Sequence, residues 1–302
     1  MTRGFVTIAT GSENYYRIAR NLLRSYRLFT ASPMPFALIC DKENEYTEEF
    51  DSVVVLENPF RSYVDKLFIP DFTPFDETIF IDSDCLAYRD LNAFWDAFEN
   101  GPDFSAFGKN YPVTYNYAWF KKENVGEFAD RIKSIPDFIG GVYFFRKTPC
   151  LKAFTETVWY IYDHYHDYTF RQFEDPADEP IFALAMSVHG FTTAGDRSLP
   201  ICFYPHCTVL KADLTSGSVR YDSIYRREEG LMDGAYMIHW GSGLTWQRVY
   251  RIEEYKLGRL IQGAKPGKIE VFLVKTRMWL RSQAGRCLRL AKRIVKRILG
   301  KG

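Results

Sequence analysis

Asp82 and Asp84 stand one residue apart at the end of an apolar run, Thr78-Ile79-Phe80-Ile81. Two carboxylates at that spacing suit a hard divalent cation, Mg²⁺ or Mn²⁺, which prefers carboxylate oxygen and substrate phosphates. Such an ion acts as a Lewis acid on a diphosphate leaving group. Asp and Ser are also common in turns and helix caps, and Asp82-Ser83-Asp84 alone reads more readily as a turn or cap. The preceding run adds the weight for a ligand site. Strands buried on both faces are continuously apolar, and ligands of open α/β sheets gather at the carboxyl ends of such strands.

Three further groups belong to the same chemistry. Lys66 lies 16 positions before Asp82, one strand connection upstream, where an ammonium serves as a point charge on a diphosphate. In isolation it reads as a solvated lysine. His239 follows Ala235-Tyr236-Met237-Ile238 and precedes Gly241-Ser242-Gly243. A neutral imidazole is a third ligand for Mn²⁺, and the glycines let backbone amides approach a phosphate. The alternative is a core histidine at a strand end. Asp178 and Glu179 open a helical pattern, Ala177 to His189, where acids complement the helix dipole whether or not they touch a substrate.

The elements that must position these groups alternate. Phe5-Val6-Thr7-Ile8-Ala9 reads as a strand, and Thr10-Gly11-Ser12 as a turn. Tyr15 to Arg27 reads as a helix with Ile18, Leu22 and Tyr26 on one face. Strands follow at Phe36 to Cys40, Val53 to Leu56 and Thr78 to Ile81, with a short helix at Tyr63 to Phe68. This rhythm predicts a parallel, doubly wound α/β sheet. Phe138 to Phe145 reads as a strand kinked at Gly140-Gly141, Leu151 to His166 as a helix, and Ala235 to His239 as a late strand.

In order and spacing these segments resemble the retaining glycosyltransferases of family 8, the glycogenin and lipopolysaccharide galactosyltransferase group. The resemblance covers roughly Phe5 to Trp246. Phe5 to Thr10 followed by Tyr15 is similar to the family's opening strand and uracil-stacking tyrosine. Asp65-Lys66-Leu67 resembles its Lys-Leu pair, Phe80 to Asp84 its metal motif, and Phe138-Ile139-Gly140-Gly141-Val142 its Phe-Asn-Ser-Gly-Val element. Asp178-Glu179 falls where the family has Asp-Gln, near the donor sugar, and His239 with its glycines resembles the third metal ligand and phosphate loop. Two positions depart: Ile139 replaces a polar Asn, and the lysine expected after His239 is missing, with Arg248 as the nearest substitute.

The resemblance implies a GT-A, Rossmann-like fold with a mixed, mainly parallel sheet flanked by helices. It implies a UDP-hexose donor (glucose or galactose) and a glycan or lipid-linked acceptor. The nucleotide would lie on Thr10, Tyr15, Lys66, Asp82, Gly241 and Gly243, and the metal on Asp82, Asp84 and His239. Asp178 and Glu179 would be the catalytic pair, and the anomeric configuration would be retained. A haloacid-dehalogenase phosphatase also carries Asp-x-Asp after a strand, but expects Thr or Val where Leu86 stands. A non-catalytic nucleotide-sugar binder or membrane-associated scaffold is the second reading, favoured by Ile139 and the missing lysine.

The 302 residues are 46% apolar and 25% charged, an ordinary globular composition, with 17% aromatic residues for the core. Charge is uneven. From Lys265 onward there are twelve Lys/Arg and one acid, Glu270, leaving 27 basic against 37 acidic residues before it. Residues 1–262 are expected to form the nucleotide-sugar domain. After the Gly263-Ala264-Lys265-Pro266-Gly267 linker, 263–302 would form a basic amphipathic helix, with Leu273, Leu280, Ala284, Cys287, Ala291, Ile294 and Ile298 on its apolar face. Such a helix suits an anionic membrane surface; packing on the domain or across a homodimer is the other option. No nucleic-acid motif accompanies the basic segment. The six cysteines have no CxxC or zinc spacing and read as buried free thiols of a reducing compartment. With no leader pattern and no run approaching the ~20 apolar residues of a span, the expected location is cytoplasmic, peripheral on a membrane.

Overall fold

A computed structural model describes residues 1–115, 119–195, 199–208, 210–222, 231–280 and 283. In chain order the first half comprises β1 (Arg3–Ala9), α1 (Glu13–Phe29), β2 (Phe36–Cys40), β3 (Ser52–Val55), α2 (Ile69–Phe72), β4 (Glu77–Ile81), β5 (Cys85–Ala87), α3 (Phe94–Phe98), β6 (Phe104–Pro112) and β7 (Ser134–Arg146). The second half comprises α4 (Pro149–Asp163), α5 (Asp178–His189), β8 (Ile201–Phe203), β9 (Leu210–Asp213), β10 (Ser218–Tyr221), β11 (Met232–Asp233), β12 (Met237–His239) and α6 (Arg248–Ile261). A further helix runs over 268–280.

The central sheet has the order β3-β2-β1-β4-β7-β6. The first four strands are parallel, and β7 pairs antiparallel with both β4 and β6. The sheet is therefore mixed and mainly parallel, as expected: the βαβ rhythm of the N-terminal third gives the four parallel strands, and β7 and β6 add the antiparallel part. Every residue of β2 and β4, and all of β1 after Arg3, is buried, because helices cover both faces. On one face α4 and α5 pack with Phe104, Tyr143, Phe145, Phe154 and Phe182. On the other, α1 and α3 cover Phe5, Leu38, Ile79, Ile81 and Phe144.

α1 begins where Ser12 accepts a hydrogen bond from the Asn14 backbone amide, and it turns Tyr16, Ala19, Leu22, Leu23 and Tyr26 onto the sheet. From β1 the chain winds outward through β2 and β3, then returns to β4 on the other side of β1. That reversal opens a crevice at the carboxyl ends of β1 and β4. A second, three-stranded sheet, β5-β12-β8, grows from the turn that ends β4, and a third, β11-β10-β9, lies beyond it.

Candidate active site

The crevice is built from the turn after β4. Cys85 N–H donates to the Asp82 carbonyl at 3.1 Å, closing a tight turn around Ser83 and Asp84. The next strand, β5, pairs antiparallel with β12 so that Cys85 faces His239, and Trp240 N–H donates to the Asp84 carbonyl at 3.1 Å. His239 thereby arrives over the two aspartates. Its Nε2 is 3.0 Å from Asp84 Oδ1 and 3.6 Å from Asp82 Oδ2. Asp84 and His239 are buried, and Asp84 Oδ1 has no hydrogen-bond partner of good geometry. A buried carboxylate oxygen without a conventional partner, beside a second carboxylate and an imidazole, fits a divalent cation.

Lys66 enters from the 3₁₀ turn Tyr63–Phe68. Its buried Nζ donates to Asp82 Oδ2 at 2.9 Å and to the Gly140 carbonyl at 3.2 Å, and lies 3.1 Å from Asp178 Oδ2. It is a paired core cation, not a solvated lysine. Asp178, at the start of α5, also accepts from Tyr143 OH at 2.6 Å, and Glu179 Oε1 accepts from Gly140 N–H at 2.6 Å. Both acids face the crevice, beyond any service to the helix dipole.

Gly140 and Gly141 make this convergence possible. A Cβ on Gly140 would lie 2.5 Å from Tyr143 OH and 2.9 Å from Asp178 Oδ2. A Cβ on Gly141 would lie 2.6 Å from His239 Nδ1. Adjacent residues of a strand face opposite ways, so the pair admits the acids on one side and the histidine on the other.

The charges hold one another. Burial disfavours a cationic Lys66, but Asp178 and Asp82 outweigh it and raise its pKa well above the ordinary value. Burial raises Asp82; for Asp84 burial is outweighed by His239, and its pKa falls. Burial opposes the imidazolium of His239, yet Asp84 and then Asp82 raise its pKa. Glu179 is pushed up to about 7, first by burial and then by the Asp178 charge.

The residues expected to hold a nucleotide include Thr10, just past the end of β1, close to Asp41 just past the end of β2. Thr10 Oγ1 donates to Asp65 Oδ2 at 2.6 Å, and Asp65 also accepts from the Phe60 and Arg61 amides at 2.6 and 2.9 Å. Arg61 sits at φ 58°, a left-handed conformation that a side-chain-bearing residue rarely keeps, with its guanidinium 3.1 Å from Asp41. Tyr15 is half-buried on α1, and Asn14 reaches Thr245 at 3.5 Å, which brings the start of α1 to the loop that carries Gly241 and Gly243. Gly241 has φ 78° and packs on Pro205; Gly243 is open. Arg248 is exposed at the first residue of α6.

Asp65, Tyr143 and Tyr63 escaped selection from the sequence. Asp65 adjoins Lys66 and could have been found by that adjacency. Tyr63 is 61% exposed and opens the 3₁₀ turn that carries Lys66. Cys40, Cys85 and Cys202 are buried as expected, whereas Cys150 is exposed. Cys287 and the other tail positions from Ala284 onward lie outside the described residues.

An open, mainly parallel sheet with an Asp-x-Asp turn and a returning histidine at its switch point defines the GT-A fold of the kind that family-8 glycosyltransferases carry. Among solved structures, the chain is similar to the galactosyltransferase LgtC in complex with donor and acceptor sugar analogs. The identity is 13%, over 84% of this chain and 95% of that one, with a TM-score of 0.50. Mouse xyloside xylosyltransferase 1 matches at 12% identity over 81% of this chain and 99% of its own, TM-score 0.47. The glycosyltransferase GlyE of Streptococcus pneumoniae matches at 15% over 66% of this chain, TM-score 0.43, and the match spans 46% of GlyE. At these identities the likeness is one of fold. No family model and no curated protein matches the sequence.

Proposed function

We propose that the chain is a retaining glycosyltransferase that moves a hexose, glucose or galactose, from a UDP-sugar to a glycan or lipid-linked acceptor. The observation that carries this reading is that His239 Nε2 stands 3.0 Å from an Asp84 oxygen and 3.6 Å from an Asp82 oxygen in the sheet crevice, with Lys66 between Asp82 and Asp178. Asp82, Asp84 and His239 would hold Mn²⁺ or Mg²⁺, which when bound supplies Lewis-acid neutralisation of the diphosphate. Thr10 and Tyr15 border the place of the nucleobase. Lys66 adds a fixed positive charge, and the Gly241–Gly243 loop offers amides to phosphate. Asp178 stands on the donor-sugar side, with Glu179 orienting the sugar or the acceptor. Catalysis in such a site is mainly preorganised electrostatics and positioning.

The test is UDP-glucose and UDP-galactose hydrolysis with Mn²⁺. Wild type should release UDP, chelation should stop it, and Asp84→Asn should lower the rate roughly 10²–10³-fold, the scale of losing a key electrostatic stabiliser. Turnover that survives chelation, or a mutant equal to wild type, refutes the site. UDP binding without turnover would favour the non-catalytic nucleotide-sugar binder.

Residues 1–262 are proposed as the donor-binding domain and 263–302 as a membrane-facing segment. Among the described residues no helix is long and apolar enough to cross a membrane. The helix over 268–280 exposes Ile269, Phe272, Leu273, Trp279 and Leu280 beside exposed Lys268, Lys275 and Arg277. Apolar side chains flanked by cations suit the interface of an anionic, cytoplasm-facing bilayer. Full-length protein should sediment with anionic liposomes and a 1–267 truncation should not. Equal sedimentation ends the membrane reading, and loss of a dimer on truncation would assign the helix to self-association.

A further inference from the structure

One donor in the crevice has no role in the chemistry above. Cys85 opens β5 directly opposite His239 on β12, and facing residues of antiparallel strands project to the same side of the sheet. Cys85 Sγ, a ring nitrogen of His239 and a carboxylate oxygen of Asp84 all lie within 4.8 Å of one another. The three residues are at most 7% exposed, and Asp84 Oδ1 is a buried carboxylate oxygen whose contact here is the His239 ring nitrogen, 3.0 Å away and short of good hydrogen-bond geometry. A cysteine that only fills core space needs neither two other ligating side chains within reach nor such an oxygen next to it.

We propose that this site also accepts a thiophilic divalent cation (Zn²⁺, Co²⁺ or Cd²⁺), held by the Cys85 thiolate, Asp84 and His239. It presupposes the metal centre proposed above and adds a second class of ion to it. Thiolate selects borderline and soft cations and imidazole suits them, whereas Mg²⁺ and Mn²⁺ are served by the carboxylates and leave the thiol protonated. Binding forms the metal–sulfur bond as the S–H bond breaks. The proton passes to solvent, and no oxidant or reductant takes part. The two modes differ in consequence. A divalent ion among Asp82, Asp84 and a thiolate has its charge more than neutralised, and so attracts a diphosphate less. A thiophilic ion in this mode therefore opposes nucleotide binding, while a hard ion promotes it.

The probe is Co²⁺ titrated into the metal-free full-length chain. A thiolate-to-cobalt charge-transfer band in the near ultraviolet, saturating at one ion per chain, is expected. The band should vanish in Cys85→Ser and in Cys85→Ala. It should persist in Cys207→Ser, which removes one of the neighbouring thiols, Cys202 and Cys207, whose sulfurs lie 3.6 Å apart. UDP should weaken cobalt binding and strengthen Mn²⁺ binding. Mn²⁺ binding, followed by electron paramagnetic resonance, should survive in Cys85→Ser, which also shows that the variant folds. X-ray absorption on the wild-type cobalt complex, which needs no variant, should place one sulfur in the metal's shell. Wild type that binds Mn²⁺ but shows no cobalt–sulfur band overturns this inference and leaves the proposed function intact, as does a band that survives the loss of Cys85. A cobalt–sulfur band without any Mn²⁺ binding overturns the hard-cation reading and, with it, the inference that one site takes both classes of ion.

Discussion

Replacing Glu179 by Gln isolates the energy of a carboxylate whose surroundings disfavour its charge. Glu179 is half-buried beside Asp178; desolvation and the Asp178 charge outweigh the Gly140 amide, Lys66 and His239, and its pKa rises from 4.5 to about 7. One pKa unit corresponds to 1.36 kcal/mol, so ionising Glu179 in the folded chain costs about 3–4 kcal/mol more than in the unfolded one, of which about 2–3 kcal/mol falls between pH 5 and pH 8. The sign follows from the raised value. The folded state holds the proton more tightly, so the stabilisation is complete below about pH 4.5 and is lost as pH rises through about 7. Glutamine has the same shape and keeps the carbonyl oxygen that accepts from Gly140 N–H at 2.6 Å, but it does not ionise. Glu179→Gln should therefore gain about 2–3 kcal/mol over wild type on going from pH 5 to pH 8. Any cost of its extra amide hydrogens is a constant offset. Urea unfolding of both proteins at the two pH values, with chelator present and m-values compared, measures the gap. A gap that is equal at both pH values, or larger at pH 5, refutes the reasoning.

Gly141→Ala should fold yet bind Mn²⁺ more than about tenfold more weakly, because its Cβ would occupy space 2.6 Å from His239 Nδ1. Gly243→Ala, which meets nothing within 4 Å, should change stability by less than about 0.5 kcal/mol in the same urea assay. Lys66→Met strips the cation from between Asp82 and Asp178 and should cost about 3–5 kcal/mol, the scale of breaking a buried ion pair from one side; a loss under about 1 kcal/mol would show that the pair is not formed.

Much of the fold was legible because local patterns report burial. β2 is apolar throughout, and β1 and β4 carry polar residues only as Arg3, Thr7, Glu77 and Thr78, a pattern that a sheet covered on both faces requires. The expected strand at Phe36 to Cys40 and short helix at Tyr63 to Phe68 have the observed bounds, and the other early elements differ by a residue or two at their ends. The resemblance to family 8 then supplied the groups worth locating. β12 was read as the end of the late strand, but β5, β8 and β11 were not: each is only two or three residues long, too short for alternation to show. The antiparallel entry of β7 between β4 and β6 was hidden as well, since a buried run looks the same in either direction.

By itself the sequence determined which side chains were available and the order in which strands and helices would carry them. Asp82 and Asp84 are neighbours by covalent spacing, and that much needs no fold. Only the tertiary structure decided that His239, more than 150 residues later, faces Cys85 across two short strands and so meets both carboxylates. It alone also turned Asp178 inward onto Lys66 and Tyr143 instead of leaving it at the helix end. The physical reason is common to both. A charge placed in a crevice of low polarity is stable only when its partners come with it, and those partners belong to distant segments that chain folding alone brings together.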